Sequence, residues 1–439
     1  MNIKWPIVEF KKQENTAFLL AGVRILFAAL CLFSSIRFLL KGWVNELLIS
    51  PKFHFHYFGF EWVNLPENPV YVYALFGLMI LSSVLILTGR LYHLASSAYF
   101  LLFTYFELID KTYYLNHYYA ISLLALAMVF IPANKALVFG KIKQVSPVSN
   151  FYVIVLRVLV GVISFYAGIA TLNSDWLFSA PPLSIWLNAY YHLPVIGPLL
   201  ASDVSAFVMS YAGMFFDVFV VFFLLMNRTR RWAYLFVILF HLTTSLLFPI
   251  GVFPYVMMVL ALVFFPSDIW QRRATQLFKI NSIEKLNFND SKFALRKSVL
   301  FVLLFFHLIF PFRYLLYSGN LFWHEQGFRF SWRVMLMEKN GYTELKVVDD
   351  KGQNYAVSNA EWLTPLQEKM MTTQPDFILE YAKILKKQYS KNGINVTECY
   401  AESYVSLNGR MPFRMIQNNV NLLAQKDGFS QYNWVTNLK

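Results

Sequence analysis

The sequence predicts a polytopic α-helical membrane protein of about nine transmembrane helices, followed by a C-terminal extracytoplasmic α+β, β-rich domain. Three observations carry this reading. Of 439 residues, 57% are hydrophobic and only 14% are charged, whereas a soluble chain carries about a quarter charged residues. Apolar runs near the ~20 residues that cross a bilayer recur through the first 316 residues. The cations are sorted into alternate loops, as the positive-inside rule requires.

The expected spans are 17–40, 70–89, 93–109, 115–133, 150–171, 205–226, 231–248, 252–266 and 297–316. Lys4, Lys11 and Lys12 precede the first. Arg90, then Lys135, Lys141 and Lys143, then Arg228, Arg230 and Arg231, and then Arg272, Arg273, Lys279, Lys285 and Lys292 fill every second loop, while 172–204 has no Lys or Arg. An odd number of spans with the N-terminus inside puts all these cations on the cytoplasmic side and the C-terminal domain outside. The net charge of +13 then reports loop cations rather than nucleic-acid binding. The polar start, MNIKWPIVEFKKQENT, does not read as a cleaved signal peptide. Cys31 in an apolar helix and Cys399 near the end do not read as a structural disulfide.

Beyond residue 316, alternation and turn signals appear. GYTELKVVDDKGQNYAV (341–357) reads as a hairpin turning at Asp-Lys-Gly. Thr364-Pro365 starts a helix. PDFILEYAKILKKQ (375–388) is an amphipathic helix, and INVTECYAESYVSL (394–407) is a long strand. The domains are thus 1–316 and 317–439. No phosphate loop and no zinc spacing occurs, so no metal is expected.

Polar groups at membrane depth are expensive and are functional candidates. ELIDKTYYLNHYY (107–119) gathers Glu107, Asp110, Lys111, Asn116 and His117, either as a site or as an interfacial aromatic loop. His241 sits in a segment broken by Pro249, Gly251 and Pro254, with Thr243, Thr244 and Ser245 beside it. It is either a helix-packing donor or part of a cavity lining, since broken helices at depth line cavities or are buried in protein. Asp217 has Arg157 as a candidate structural partner. His54 and His56 alternate as in a strand and read as aromatic loop packing.

At these residues the chain resembles the vitamin K-dependent γ-glutamyl carboxylase family, whose membrane part is also called the horizontally transferred transmembrane domain. The resemblance rests on FELIDKTYYLNHYY (106–119), YAGIATLNSDWL (166–177), FHLTTSLLFPIGVFPYVM (240–257), PFRYLLYSGNLFWHEQGFRFSWRVMLMEK (311–339) and SLNGR (406–410), in order along nearly the whole chain. It implies reduced vitamin K (a menaquinol- or phylloquinol-like molecule) as cofactor and oxygen and carbon dioxide as co-substrates. It also implies a membrane quinone and lipid as partners, with a glutamate-containing peptide or protein as substrate. In that chemistry, oxygenation of the quinol produces a base strong enough to take a glutamate γ-proton, and the carbanion captures carbon dioxide. A water-excluding pocket suits such a base.

The resemblance carries His117 over as the family's charge-stabilising histidine, with Asn116 and Asp110 as its neighbours. His241 is the intramembrane histidine. The family's base lysine falls in Ala-Gly-x-x-Lys-Leu, and here that position is Thr171, preceded by Ala170. Thr244 stands where Asn is common, and Met337 where animal enzymes have His. His117, Asn116, Asp110 and Thr171 are therefore the expected catalytic set, and His241, Thr244 and Lys111 the expected cofactor contacts. His117, Asp110, Thr171 and His241 are expected around one cavity. Three readings follow: a carboxylase-like enzyme, a diverged quinone or lipid enzyme using Lys111 or His241 as base, and a non-catalytic membrane binding protein. The chain reads as bacterial, in the inner (cytoplasmic) membrane.

Overall fold

The computed structural model describes residues 12–248, 250–287 and 289–438. Lys4 and Lys11, counted among the cations before the first span, and Pro249, expected to help break the seventh, lie outside the described residues.

Each expected span falls on a helix: α1 (Glu14–Leu40), α2 (Pro69–Thr88), α3 (Tyr92–Ile109), α4 (Asn116–Phe130), α5 (Phe151–Ala170), α6 (Asp203–Leu225), α7 (Arg230–Leu247), α8 (Phe253–Ala261) and, after α9 (Ser267–Leu277), α10 (Phe293–Ile309). Nine straight spans are not found among the described residues. Five helical stretches are long and apolar enough to cross a bilayer, and a sixth arises if a bent pair counts as one. The reasons are local. α4 has 15 residues, about 22 Å at 1.5 Å per residue, short of a hydrocarbon core of about 30 Å. α3 carries His93 and Glu107, and α7 opens on Arg230 and Arg231. The segment expected to cross at 252–266 instead bends by 109° between Phe264 and Ser267, at Pro266. The outer faces remain greasy: Phe215, Phe219, Phe222 and Phe223 of α6 are all exposed, as a lipid-facing surface requires.

The break after α7 occurs as its Gly and Pro residues predict. Phe248 is extended, Gly251 takes φ +61°, and α8 restarts with Pro254 in its first turn. Arg157 does not pair with Asp217. Its guanidinium donates to the Val263 and Phe264 carbonyls, capping the end of the stretch that follows α8. His54 and His56 lie in irregular chain rather than a strand.

The C-terminal domain matches its sequence pattern. β1 (Lys339–Asp349) turns into β2 (Asn354–Ala356), and β3 (Val396–Leu407) and β4 (Phe413–Arg414) complete an antiparallel sheet of order β2-β1-β3-β4. α11 (Pro365–Met371) begins with a capping box, Thr364 with Gln367. α12 (Pro375–Lys391) buries Phe377, Ile378, Tyr381, Ala382 and Leu385. These share one core with Val347, Ala401 and Val405 of the sheet, with Ala170 at the end of α5 and with Trp176 and Leu183 beyond it. Membrane part and C-terminal domain are therefore packed on a common apolar seam.

Candidate functional site

The two halves of the 107–119 segment do different work. Asp110, between α3 and α4, is a junction. Its Oδ1 accepts the Thr112 N–H at 2.8 Å, and its Oδ2 lies 3.1 Å from His54 Nδ1 and accepts from Gln367 Nε2 at 3.2 Å. It ties the 51–57 loop to α11. The Lys111 ammonium sits 2.9 Å from both Asp376 Oδ2 and Glu380 Oε2 and 4.7 Å above the Phe377 ring. Arg329 reaches the same Asp376 oxygen at 2.8 Å. Burial opposes charge on Lys111, but the two carboxylates overcome it and hold its proton more tightly than usual. Burial would likewise raise Asp376, yet Arg329 and Lys111 hold it well below the ordinary carboxylate range. Lys111 is thus a paired cation clamping α12, and lines a different cavity, of about 280 Å³, with Arg329 and Asp376.

The second half faces inward. Asn116 opens α4, donating through Nδ2 to the Arg333 carbonyl at 2.8 Å and accepting from the Tyr114 hydroxyl at 3.0 Å. His117, 6% exposed, packs on Tyr118 and Phe253. Gly251 brings the broken backbone against it: a methyl placed on that glycine would lie 3.8 Å from His117 Nε2.

Two adjoining cavities meet at Asn116. One, of about 390 Å³, is lined by His117, Arg333, Met337 and Gln374. The other, of about 130 Å³, is lined by Thr171, Asp217, His241, Thr244 and Trp332. Asn116, Ile250, Phe253, Val334 and Met335 line both. The structure therefore gathers Asn116, Thr171, His241 and Thr244, sets His117 in the neighbouring chamber, and places Asp110 and Lys111 elsewhere. Those two form the ion and hydrogen-bond knot, because a carboxylate and an ammonium at this depth are stabilised by partners rather than by an apolar wall.

Thr171 is the C-cap of α5, and its hydroxyl donates to the Gly168 carbonyl at 2.6 Å. Thr244 donates to the His241 carbonyl at 3.1 Å. The His241 ring is packed by Phe216, Phe240 and Phe253. Among the described residues, no hydrogen bond reaches either the His117 or the His241 imidazole. Asp217 is the residue whose place sequence reasoning missed. With Arg157 turned away, it faces the cavity that holds His241. Its depth in an apolar helix was the available signal.

The polar end of YAGIATLNSDWL has a structural answer. Arg410 Nη1 and Nη2 grip the Asp175 carboxylate at 2.7 and 2.5 Å, and Asn408 Nδ2 donates to it at 2.6 Å. The Arg410 hydrogen bonds hold the Asp175 carboxyl below its ordinary range despite burial. Asp175 thus docks the helix end to the SLNGR turn after β3.

Two adjoining cavities, one aromatic-walled with the unbonded His241 imidazole and the Asp217 carboxyl, the other with the unbonded His117 imidazole, suit a flat, weakly acidic ligand. A larger concavity, about 1510 Å³ on the sheet of the C-terminal domain, holds none of these residues. No solved structure matches the chain. A family model described as HTTM domain matches residues 11–270, and one described as vitamin K-dependent gamma-carboxylase, lumenal domain, matches residues 292–439. Carrying both modules in this order over most of its length, the chain belongs to the vitamin K-dependent gamma-carboxylase family of membrane proteins.

Proposed function

We propose that this protein binds a reduced quinone of the vitamin K type in the paired cavities at Asn116, and that with Thr171 in place of the family's base it carries out little or no glutamate carboxylation as it stands. The observation that supports this reading most is the cavity shared by Asn116, Thr171, Asp217 and His241. Its walls of Phe240, Phe248, Phe253 and Trp332 fit a flat apolar ring, and its unbonded His241 ring leaves a hydrogen-bonding group for the ring's oxygen. Bound there, such a quinol supplies the oxygen-dependent generation of a strong base.

The residues of the chain have distinct tasks in this reading. Phe253 separates the two imidazoles and excludes water. Asn116, its amide held by Arg333 and Tyr114, presents a fixed dipole to both chambers. His117, next to Met337 and Gln374, lies toward the C-terminal domain, the side from which a glutamate-containing peptide or protein would come. A threonine hydroxyl is too weakly basic to take a quinol proton at neutral pH, and Lys111 is held protonated by two carboxylates. The proton acceptors left at the cavity are His241 and Asp217.

The test is to incubate purified protein with reduced vitamin K, oxygen, bicarbonate and a glutamyl peptide, scoring epoxide and carboxyglutamate separately, alongside quinone binding by quenching of tryptophan fluorescence. Binding with little of either product supports the proposal. Both products at rates typical of the family would assign the base elsewhere. Absence of quinone binding would leave the diverged-substrate or non-catalytic reading.

A further inference from the structure

A third apolar cavity, of about 350 Å³, lies between α1, α3 and α4, where Leu366 and Met370 of the C-terminal domain close it. That size falls within the range of small-ligand sites. The position is the domain-bearing end of the helix bundle. Phe38, Phe76, Phe103 and Phe106 wall it. Glu107, in the last turn of α3, lines it as well. Among the described residues no hydrogen bond or ion pair reaches the Glu107 carboxylate. Nothing in the quinol reading uses this acid.

At the same cavity Trp43 contributes a wall, and the Arg37 guanidinium lies over its ring, 4.8 Å from the centroid. Glu107 thus lines the aromatic chamber and Arg37 lies over one of its wall residues, Trp43, with no ion pair between the two among the described residues. An acid set among ring faces attracts a cation, and a carboxylate binds N–H donors through charge-assisted hydrogen bonds. A guanidinium matches a phosphate. A ligand with an ammonium and a phosphate a few bonds apart, on an apolar tail, satisfies both.

We propose that this cavity binds a phospholipid bearing a primary amine, its ammonium on Glu107 and its phosphate at Arg37. Tyr114, Leu115 and Met370 line both this cavity and the chamber of His117, so a bound lipid also buttresses the turn that carries Asn116 and His117.

The test is native mass spectrometry of the intact purified protein with dioleoyl phosphatidylethanolamine, its N-acetyl derivative, dioleoyl phosphatidylcholine and dioleoyl phosphatidylglycerol. Phosphatidylethanolamine should be retained about ten-fold better than the other three, as loss of a charge-assisted hydrogen bond implies. Glu107→Gln should abolish that preference, and Arg37→Gln should weaken all four lipids. Equal retention of the N-acetyl derivative or of phosphatidylcholine by the wild-type protein would overturn the assignment, as would an undiminished preference in Glu107→Gln. If Glu107→Gln does not fold, the N-acetyl comparison on the wild-type protein still decides.

Discussion

In the proposed function, activity turns on Thr171. A buried amine is neutral more readily than one in water, because burial disfavours its charged form, and a lysine here would face Asn116 and His241. Thr171→Lys is expected to raise epoxide formation from reduced vitamin K above the wild-type level, and His117→Ala in that background to remove the gain. Epoxide measured by chromatography decides. The loss of the Thr171–Gly168 hydrogen bond and the larger side chain work against the variant, so its fold must be checked by thermal unfolding. Lys111 belongs to a different argument. Lys111→Met would leave Asp376 and Glu380 buried with one fewer cation, at a cost of about 3 kcal/mol. A fall in unfolding temperature is expected, with quinone binding retained in the folded fraction. Asp175 adds a pH signature. Its folded-state carboxyl lies below the ordinary range because of Arg410. Its stabilising contribution is therefore present above the unfolded value and is lost as pH falls through the lower, folded one. Docking of the helix end to the SLNGR turn should loosen below about pH 4, seen as faster proteolysis near residue 175. Asp175→Asn should be cleaved at the faster rate at neutral pH as well.

Two glycines show how the helices set the cavity. Gly168 lets α5 approach α6: an added methyl would lie 2.6 Å from Val218 Cγ2 and 2.7 Å from its backbone nitrogen. Backbone cannot yield as a flexible side chain does, so Gly168→Ala should cost about 1–3 kcal/mol. It should also separate Thr171 from Asp217, lowering both thermal stability and quinone affinity. Gly251 differs in kind. Its φ of +61° is strained for any side chain, and the break it allows brings α8 beside His117. Such breaks are tolerated where the backbone is buried in protein or lines a cavity, and here it does the latter. Arg24 is a third device of this sort. Buried without an acid among its hydrogen-bond partners, it donates to the Ala133 and Leu137 carbonyls at 2.9 and 2.7 Å, holding α1 to the turn after α4.

The cation pattern, read with the positive-inside rule, still argues for a cytoplasmic N-terminus and an external C-terminal domain. Protease added to intact spheroplasts should then remove a C-terminal epitope, and its protection while an external control protein is digested would reject this orientation. α3, α4 and α7 do not meet the length and hydropathy expected of spans, yet they carry or adjoin Glu107, Asn116, His117 and His241. Short or polar helices are where a bundle places groups that lipid would penalise. The domain above them closes the cavities with Val334, Met335 and Met370.

Periodicity and charge in the sequence alone determined the membrane class, the helix positions and the order of the C-terminal elements, and the resemblance of its short motifs pointed to the family. Each of these depends on local hydrophobic pattern or on short motifs that neighbours in the chain complete. The β1–β2 hairpin, the Thr364 cap and the break at Gly251 were legible for the same reason. The grouping of polar residues was not. Asp110 and Lys111 stand seven or fewer residues from Asn116 and His117, yet they face Gln367, Asp376 and Glu380, more than 250 positions away. Asp217 was matched to Arg157 by charge, whereas Arg157 found carbonyls freed at the end of a bent helix. Which cavity a membrane-depth polar group faces depends on helix rotation and on which distant partner satisfies it first, and only the packed tertiary structure decides that.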